Sequence, residues 1–331
     1  MGLRIHKAGL MDTIQDAGLY GYQHLGINPG GAMDITAMKL ANALLGNDLN
    51  EAVLEMHFPA AEIVFEETCL IALGGADFGA EIDAAPVPIL HPVMVQKGSM
   101  LRFRNNQAGA RVYLAVKGGY LIKAWLNSNS THSKVKAGGY KGRSLQKNDH
   151  LLLKQNSFDA FPMAGKPFLV LHWTVNITGF YLSDTIRFVP GAEYHGLNKT
   201  SKQKLEAAKF SILKQSDRMG YRLQGEVLSM QAPKEMISTA VLRGTIQLLP
   251  DGQLIILMAD HQTTGGYPRI GHVITAGLAA LAQMRAGEKI LFQKVDLADA
   301  ETLLWEQERN LQQLQNACNF RLQEYLNRGT K

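Results

Sequence analysis

The sequence predicts a mainly β protein with a few helices, and three observations lead there. The apolar segments are mostly short, rich in Val, Ile, Phe and Tyr, and divided by glycine or proline turns, which is how strands read. Helical spacing is confined to three stretches. The 331 residues, 46% hydrophobic and 19% charged, are enough for two domains that fold without metal or disulfide staples.

Strands are expected at 3–7, 62–65, 69–73, 78–82, 100–103 and 111–116, then at 151–153, 167–173, 185–189, 209–213, 254–258 and 289–293. Such a count suits barrels or sandwiches. The first helix spans 33–45, where Met33, Ala37, Met38, Ala41, Leu44 and Leu45 share a face and Gly46-Asn47 supplies the stop. A second helix covers 275–286 and ends at Gly287. The third covers 297–326, where Leu304, Leu311, Leu314, Cys318, Leu322 and Tyr325 form an apolar stripe on a glutamine-rich helix. That stripe has to be buried, on the protein's own surface or in a partner. The mid-chain boundary is expected at 155–166, where Pro, Gly and polar residues interrupt two strand-rich halves.

Composition and spacing exclude several functions. The formal charge of +5, from 34 basic and 29 acidic residues, is spread along the chain, and the basic stretch 132–147 holds one aromatic, Tyr140. Nucleic acid is therefore not expected as a partner. Cys69 and Cys318 stand outside any CxxC or Cys/His cluster, which fits a reducing cytoplasm. The start lacks the unbroken apolar run of a secretory signal, and no stretch reads as a membrane span. The segment 138–144 has the wrong glycine spacing for a phosphate loop and Arg143 in place of its lysine. No GxGxxG follows a strand, no GxSxG occurs, and no histidine pair has metal-ligand spacing, so metal is not expected in this chain. Ala37-Met38-Lys39-Leu40 looks like the surroundings of a biotinylated lysine, but Lys39 lies inside a helix and reads as an exposed helix lysine.

Three glycine-rich polar segments carry the chemistry. In 13–34, Gln15, Asp16, Gln23 and Asp34 are interleaved with glycines ahead of the first helix. The Gly30-Gly31 turn either aims backbone N–H groups at an anion or is a connection whose Asp34 caps the helix. In 216–223, Arg218 either binds a carboxylate or phosphate, with Asp217 orienting it or acting as base, or forms a surface ion pair. In 244–271 an apolar strand runs into Asp260, His261, Gln262, Thr263, Thr264, Gly265, Gly266 and Tyr267, more polar atoms than a hairpin turn needs. That density favours a ligand-binding loop.

These segments also carry a resemblance. The stretches Thr13-Ile-Gln-Asp16, Gly21-Tyr-Gln23, Gly31-Ala-Met-Asp34, Asn42-Ala-Leu-Leu-Gly-Asn47, the run 111–119 and Ser130-Thr131 are followed by Gly139-Tyr-Lys-Gly-Arg143, the run 216–223, Gly244-Thr-Ile-Gln247 and the run 260–268. In this order they resemble the biotin-dependent carboxyltransferase-like family, which holds the C subunit of bacterial 5-oxoprolinase, the Kip-type antagonists and allophanate hydrolase subunit 2. The chain departs from the family at Leu19, Gly30 and Gly277, where arginine, serine and aspartate are usual. The resemblance implies two cyclophilin-like β-barrel domains, at 1–160 and 161–296, followed by the long amphipathic C-terminal helix at 297–331, which lies beyond it.

The resemblance also implies a subunit of an ATP-dependent 5-oxoprolinase, hydrolysing 5-oxo-L-proline to L-glutamate. ATP, with magnesium, would act within an assembly of several subunits whose other members are a companion of related cyclophilin-like fold and a lactam-utilisation subunit. A homo-oligomer is also compatible. Activating a lactam carbonyl requires donors around its oxygen. Arg218 and Arg143 are the expected anion-stabilising groups, Gln247, Gln262, Thr263 and Thr264 the orienting donors, Gly31, Asp34, Gly265 and Gly266 the binding turns, and Asp217 or Asp260 the base. Two alternatives stand beside this reading. One is a urea- or allophanate-type carboxyltransferase using biotin carried by another chain; the other is a non-catalytic Kip-type regulator that binds a companion protein.

Overall fold

The computed structural model describes residues 2–154, 158, 163, 165–181, 185–232 and 236–329. Most of the expected boundary stretch 155–166 lies outside them. The chain forms two units, one made of residues 1–18, 34–177 and 309–331, the other of 19–33 and 178–308.

The first unit holds two six-stranded sheets. One runs in the order His150–Leu152, Gly2–Lys7, Glu62–Phe65, Met100–Phe103, Ala80–Ile82, Ala85–Pro86. The other runs Phe168–Val170, Pro92–Val95, Cys69–Asp77, Ala108–Val116, Val53–Met56, Thr13–Gln15. Alternate residues of both sheets, among them Leu3, Ile5 and Ile63 of the first and Ile14, Leu54 and Leu114 of the second, share one buried core. The opposite face of the second sheet carries a polar row, with Thr13, Glu55 and Tyr113 in register. Helix Ile35–Leu44 packs against two strands of this sheet, Cys69–Asp77 and Ala108–Val116. Asp34 caps it, Oδ1 accepting from the Ala37 N–H at 2.9 Å. The Asp34 N–H donates to the Tyr113 hydroxyl at 2.8 Å, and that hydroxyl donates to Glu55 Oε2 at 2.9 Å. The helix is buried nearly all round rather than on one stripe, and Lys39 is half-buried rather than exposed.

The second unit is a closed seven-stranded barrel in the order Thr185–Pro190, Arg269–Val273, Thr245–Leu248, Leu254–Leu257, Gly220–Gln224, Lys209–Ile212, Lys289–Lys294. The last strand closes it by pairing parallel with the first. Inward residues such as Phe188, Tyr221, Leu223, Ile246, Ile256 and Phe292 fill the interior. The helix expected at 275–286 is a 3-10 turn, Thr275–Gly277, followed by helix Leu278–Gln283.

Only one barrel is found among the described residues, which corrects the expected pair. The sheets of the first unit end on short strands, two or three residues each, and among the described residues no ladder joins one sheet to the other. Alternating side chains look the same along a barrel strand and a sandwich strand. Closure depends on tilt and register, which alternation does not encode.

The C-terminal helix is Leu297–Gly329. In the first unit its stripe is buried at Leu311, Cys318 and Leu322. Gln315 Nε2 donates to the Asn47 carbonyl at 2.7 Å, and Tyr325 packs edge-on to Trp173 at 6.2 Å. Among the described residues no helix is long and apolar enough to cross a membrane.

Candidate functional site

Three segments far apart in the chain meet within the barrel unit. Asp217 closes its own turn, Oδ1 accepting from the N–H groups of Met219 at 2.8 Å and Gly220 at 3.2 Å. The next side chain, Arg218, is bound to Asp260 instead. Its Nε and Nη2 donate to Asp260 Oδ2 and Oδ1 at 2.9 and 3.0 Å, and Nη2 also donates to the Gly31 carbonyl at 2.6 Å. Further bonds tighten the junction, from the Asp260 N–H to the Arg218 carbonyl at 2.8 Å and from Asn28 Nδ2 to the Asp260 carbonyl at 3.0 Å.

A second guanidinium, which the sequence does not single out, extends this clamp. Arg243 Nη1 donates to the Ala32 carbonyl at 3.1 Å and Nη2 to that of Met33. Carbonyls of three consecutive residues, Gly31 to Met33, are thus held by two arginines. Gly30 and Gly31 both have left-handed φ, +62° and +85°, which glycine adopts without a Cβ penalty. A Cβ on Gly30 would lie 3.8 Å from both Asp260 Oδ1 and Leu19 Cδ1. Two of the departures from the family, Leu19 and Gly30, are therefore neighbours beside Asp260. Gly277 lies in the separate turn Thr275–Gly277.

Past Asp260 the loop turns back over the barrel wall. His261 is buried, with Nδ1 2.6 Å from the Gln262 carbonyl. Burial holds its imidazole below the ordinary histidine value, and burial plus the nearby His261 do the same to His272. Thr264–Gly265 pairs with Thr239–Ala240 in a small ribbon, leaving Thr264 exposed and Thr263 half-buried. Gly265 fits between two carboxamides: a Cβ there would lie 2.7 Å from Gln247 Nε2 and 3.3 Å from Gln262 Nε2. Both glutamines line a cavity of about 590 Å³ on the outer wall of the barrel, with Asp217, Arg222, Ile255 and Tyr267. Gly266 and Tyr267 border a second cavity of about 440 Å³.

The residues named from sequence thus fall into three places. Arg218, Asp260 and Gly31 form the clamp, while Asp217, Gln247 and Gln262 line the larger cavity, and Thr263, Thr264, Gly265 and Gly266 lie on the loop between two of its lining residues, Gln262 and Tyr267. Arg143 and Asp34 belong to the other unit. Arg143 is paired there with Asp149, through Nη1–Oδ2 at 2.6 Å and Nη2–Oδ1 at 2.8 Å, and also donates to the Ser144 carbonyl at 2.9 Å. Burial would raise Asp149, but the Arg143 fork and the Gln146 N–H hold it below the usual carboxylate range.

An ATP–magnesium site needs cationic donors open to phosphate and grouped oxygen ligands. Arg143 and Arg218 are both committed to carboxylates. Among the described residues no three His, Cys, Asp or Glu side chains are grouped as ligands. These residues do not fit the nucleotide and its metal.

The family model for the carboxyltransferase domain, subdomain A and B, matches residues 25–294, and the chain belongs to that family. Within it, the chain is similar to the 5-oxoprolinase C subunit of Haemophilus influenzae, 37% identical over 302 residues that cover 91% of this chain and 94% of the relative. It is similar to the 5-oxoprolinase C subunit of Escherichia coli at 36% over 312 residues, covering 94% and 97%. The solved structure of the K. lactis urea amidolyase shares the fold, with a TM-score of 0.85 over 95% of this chain at 24% identity; the match spans 20% of that longer protein.

Proposed function

We propose that this chain is the C subunit of an ATP-dependent 5-oxoprolinase, a cyclic-amide hydrolase of the cytoplasm that converts 5-oxo-L-proline to L-glutamate with a companion of related fold and a lactam-utilisation subunit. The observation that carries this reading is the unpaired donor in the barrel cavity. Gln247 is 1% exposed, and its Nε2 has no partner among the described residues. A buried amide without a partner costs stability unless something else recovers the bond, and a ligand carbonyl would recover it.

In this reading Gln247 and Gln262 orient the lactam carbonyl, with Thr263 and Thr264 on the loop that follows Gln262. Asp217, whose Oδ2 takes no part in its turn, accepts the proton of the attacking water. Arg218 and Asp260 act by position: they hold the loop and the Gly30–Met33 segment in place. Nucleotide chemistry is assigned to a companion chain, since both candidate arginines here are committed.

The test is reconstitution with the two companions, ATP and 5-oxoproline, followed by measurement of glutamate. Absence of release with every subunit folded would falsify the reading. The family description favours one rival, carboxyl transfer. Biotin on a co-purifying chain with bicarbonate-dependent ATP turnover would support it, whereas tight binding to a companion with neither turnover would mark a regulator.

A further inference from the structure

We infer that Arg222 and Gln247 together read a compact ligand bearing a carboxylate at one end and an amide carbonyl at the other, with Arg222 setting the specificity for the carboxylate. This rests on the reading above and adds to it the group that selects an acidic lactam over a neutral one.

The register supplies the geometry. Arg222 pairs with Ile255, and Ile255 pairs with Gln247, so the three residues form one row across three adjacent strands. All three line the same cavity on the outer wall. With strands about 4.8 Å apart, the Cα atoms of Arg222 and Gln247 are separated by roughly 10 Å, a span for one small ligand between the two side chains. The row is polar at both ends and apolar at its centre. Gly220 lies one pleat further along, and a Cβ there would come 2.8 Å from Ile255 Cδ1, so the Ile255 side chain lies over the glycine as part of the cavity floor.

Charge separates the two ends. Among the described lining residues Arg222 is the one cation, and it is exposed, with no ion pair among the described residues. Its backbone is fixed instead: its N–H donates to Ser216 Oγ at 3.0 Å, and its carbonyl accepts from the Leu213 N–H at 2.9 Å. The two carboxylates among the lining residues, Asp217 and Asp251, each have Oδ1 engaged by backbone N–H donation within their own turns. A guanidinium with both edges open suits a carboxylate fork. At the far end the unpartnered Gln247 Nε2 suits a carbonyl oxygen.

The experiment uses the reconstituted complex with 5-oxoproline as substrate and 2-pyrrolidone, the same ring without its carboxylate, as competitor. Arg222→Gln should raise KM for 5-oxoproline by about 10- to 100-fold, with kcat falling far less and inhibition by 2-pyrrolidone unchanged, as expected for loss of a charge-assisted bond. Gln247→Glu, which replaces the donor by an acceptor at equal size, should weaken both compounds. An unaltered KM in Arg222→Gln, or equal weakening of 5-oxoproline and 2-pyrrolidone, overturns the inference while leaving the proposed function standing. A wild-type complex that releases no glutamate and binds neither compound by calorimetry overturns both.

Discussion

Arg218 meets Asp260 edge to edge, with paired bonds of 2.9 and 3.0 Å, although the two residues lie 42 positions apart in the sequence. Their side chains are 10% and 23% exposed, so the pair is more than a solvent-screened surface contact. Arg218→Ala removes the donor from Asp260 and from the Gly31 carbonyl together. We expect a stability loss of about 1–3 kcal/mol in urea titration, and loss of glutamate release by the complex. Arg218→Lys keeps the charge but not the planar fork, and should recover little activity.

Arg243 provides a separate test of the Gly30–Met33 segment. Arg243→Gln gives up contacts to the carbonyls of Ala32 and Met33. Faster amide hydrogen exchange across residues 19–33, with protection of the barrel strands retained, is the expected result. Unchanged exchange there would show that the guanidinium does not hold the segment.

Histidine burial sets the acid response of the barrel. The folded values of His261 and His272 lie below the ordinary 6.5, so folding favours the neutral rings. Their contribution is present above that value and is lost as pH falls through the depressed folded values. The urea midpoint should therefore drop as pH falls below 6.5, and His272→Asn should flatten that drop. An equally steep drop in the variant would assign the acid sensitivity elsewhere.

Gly74 is required by packing rather than by its φ. A Cβ there would lie 2.7 Å from the Ala37 carbonyl oxygen and 3.3 Å from Ala41 Cβ, both on helix Ile35–Leu44. Backbone gives way less readily than a side chain. Gly74→Ala should cost about 1–3 kcal/mol by overpacking, read as a lowered Tm.

Much of this was legible in the residues. Short alternating segments marked the strands, and Asp34 ahead of an apolar helix marked the cap that the Ala37 N–H engages. The stripe on the last helix announced burial that Leu311, Cys318 and Leu322 display. Polar density after strand Leu254–Leu257 pointed to the loop that carries Gln262 along the cavity wall. Other features depend on three-dimensional register. Adjacency suggests Asp217 as the partner of Arg218, but Asp217 accepts from the N–H groups of Met219 and Gly220 and Asp260 takes the guanidinium. Arg243 binds carbonyls some 210 positions away, and a carbonyl acceptor leaves no residue-type signature in a sequence. Arg222 gained its meaning only when the ladder placed it in one row with Gln247. Whether a set of strands closes is likewise a matter of shear, which separates the barrel from the two-sheet unit.

Glutamate release by the reconstituted complex, assembled with this chain carrying Gly265→Ala, tests most directly whether Gln247 and Gln262 orient the lactam carbonyl. The new methyl would press on both amides, at 2.7 and 3.3 Å from their Nε2 atoms, without entering the barrel core. We predict release reduced by about tenfold or more at an unchanged Tm, the scale of one misplaced orienting donor. Wild-type release from that complex, or from one assembled without this chain, would contradict the account.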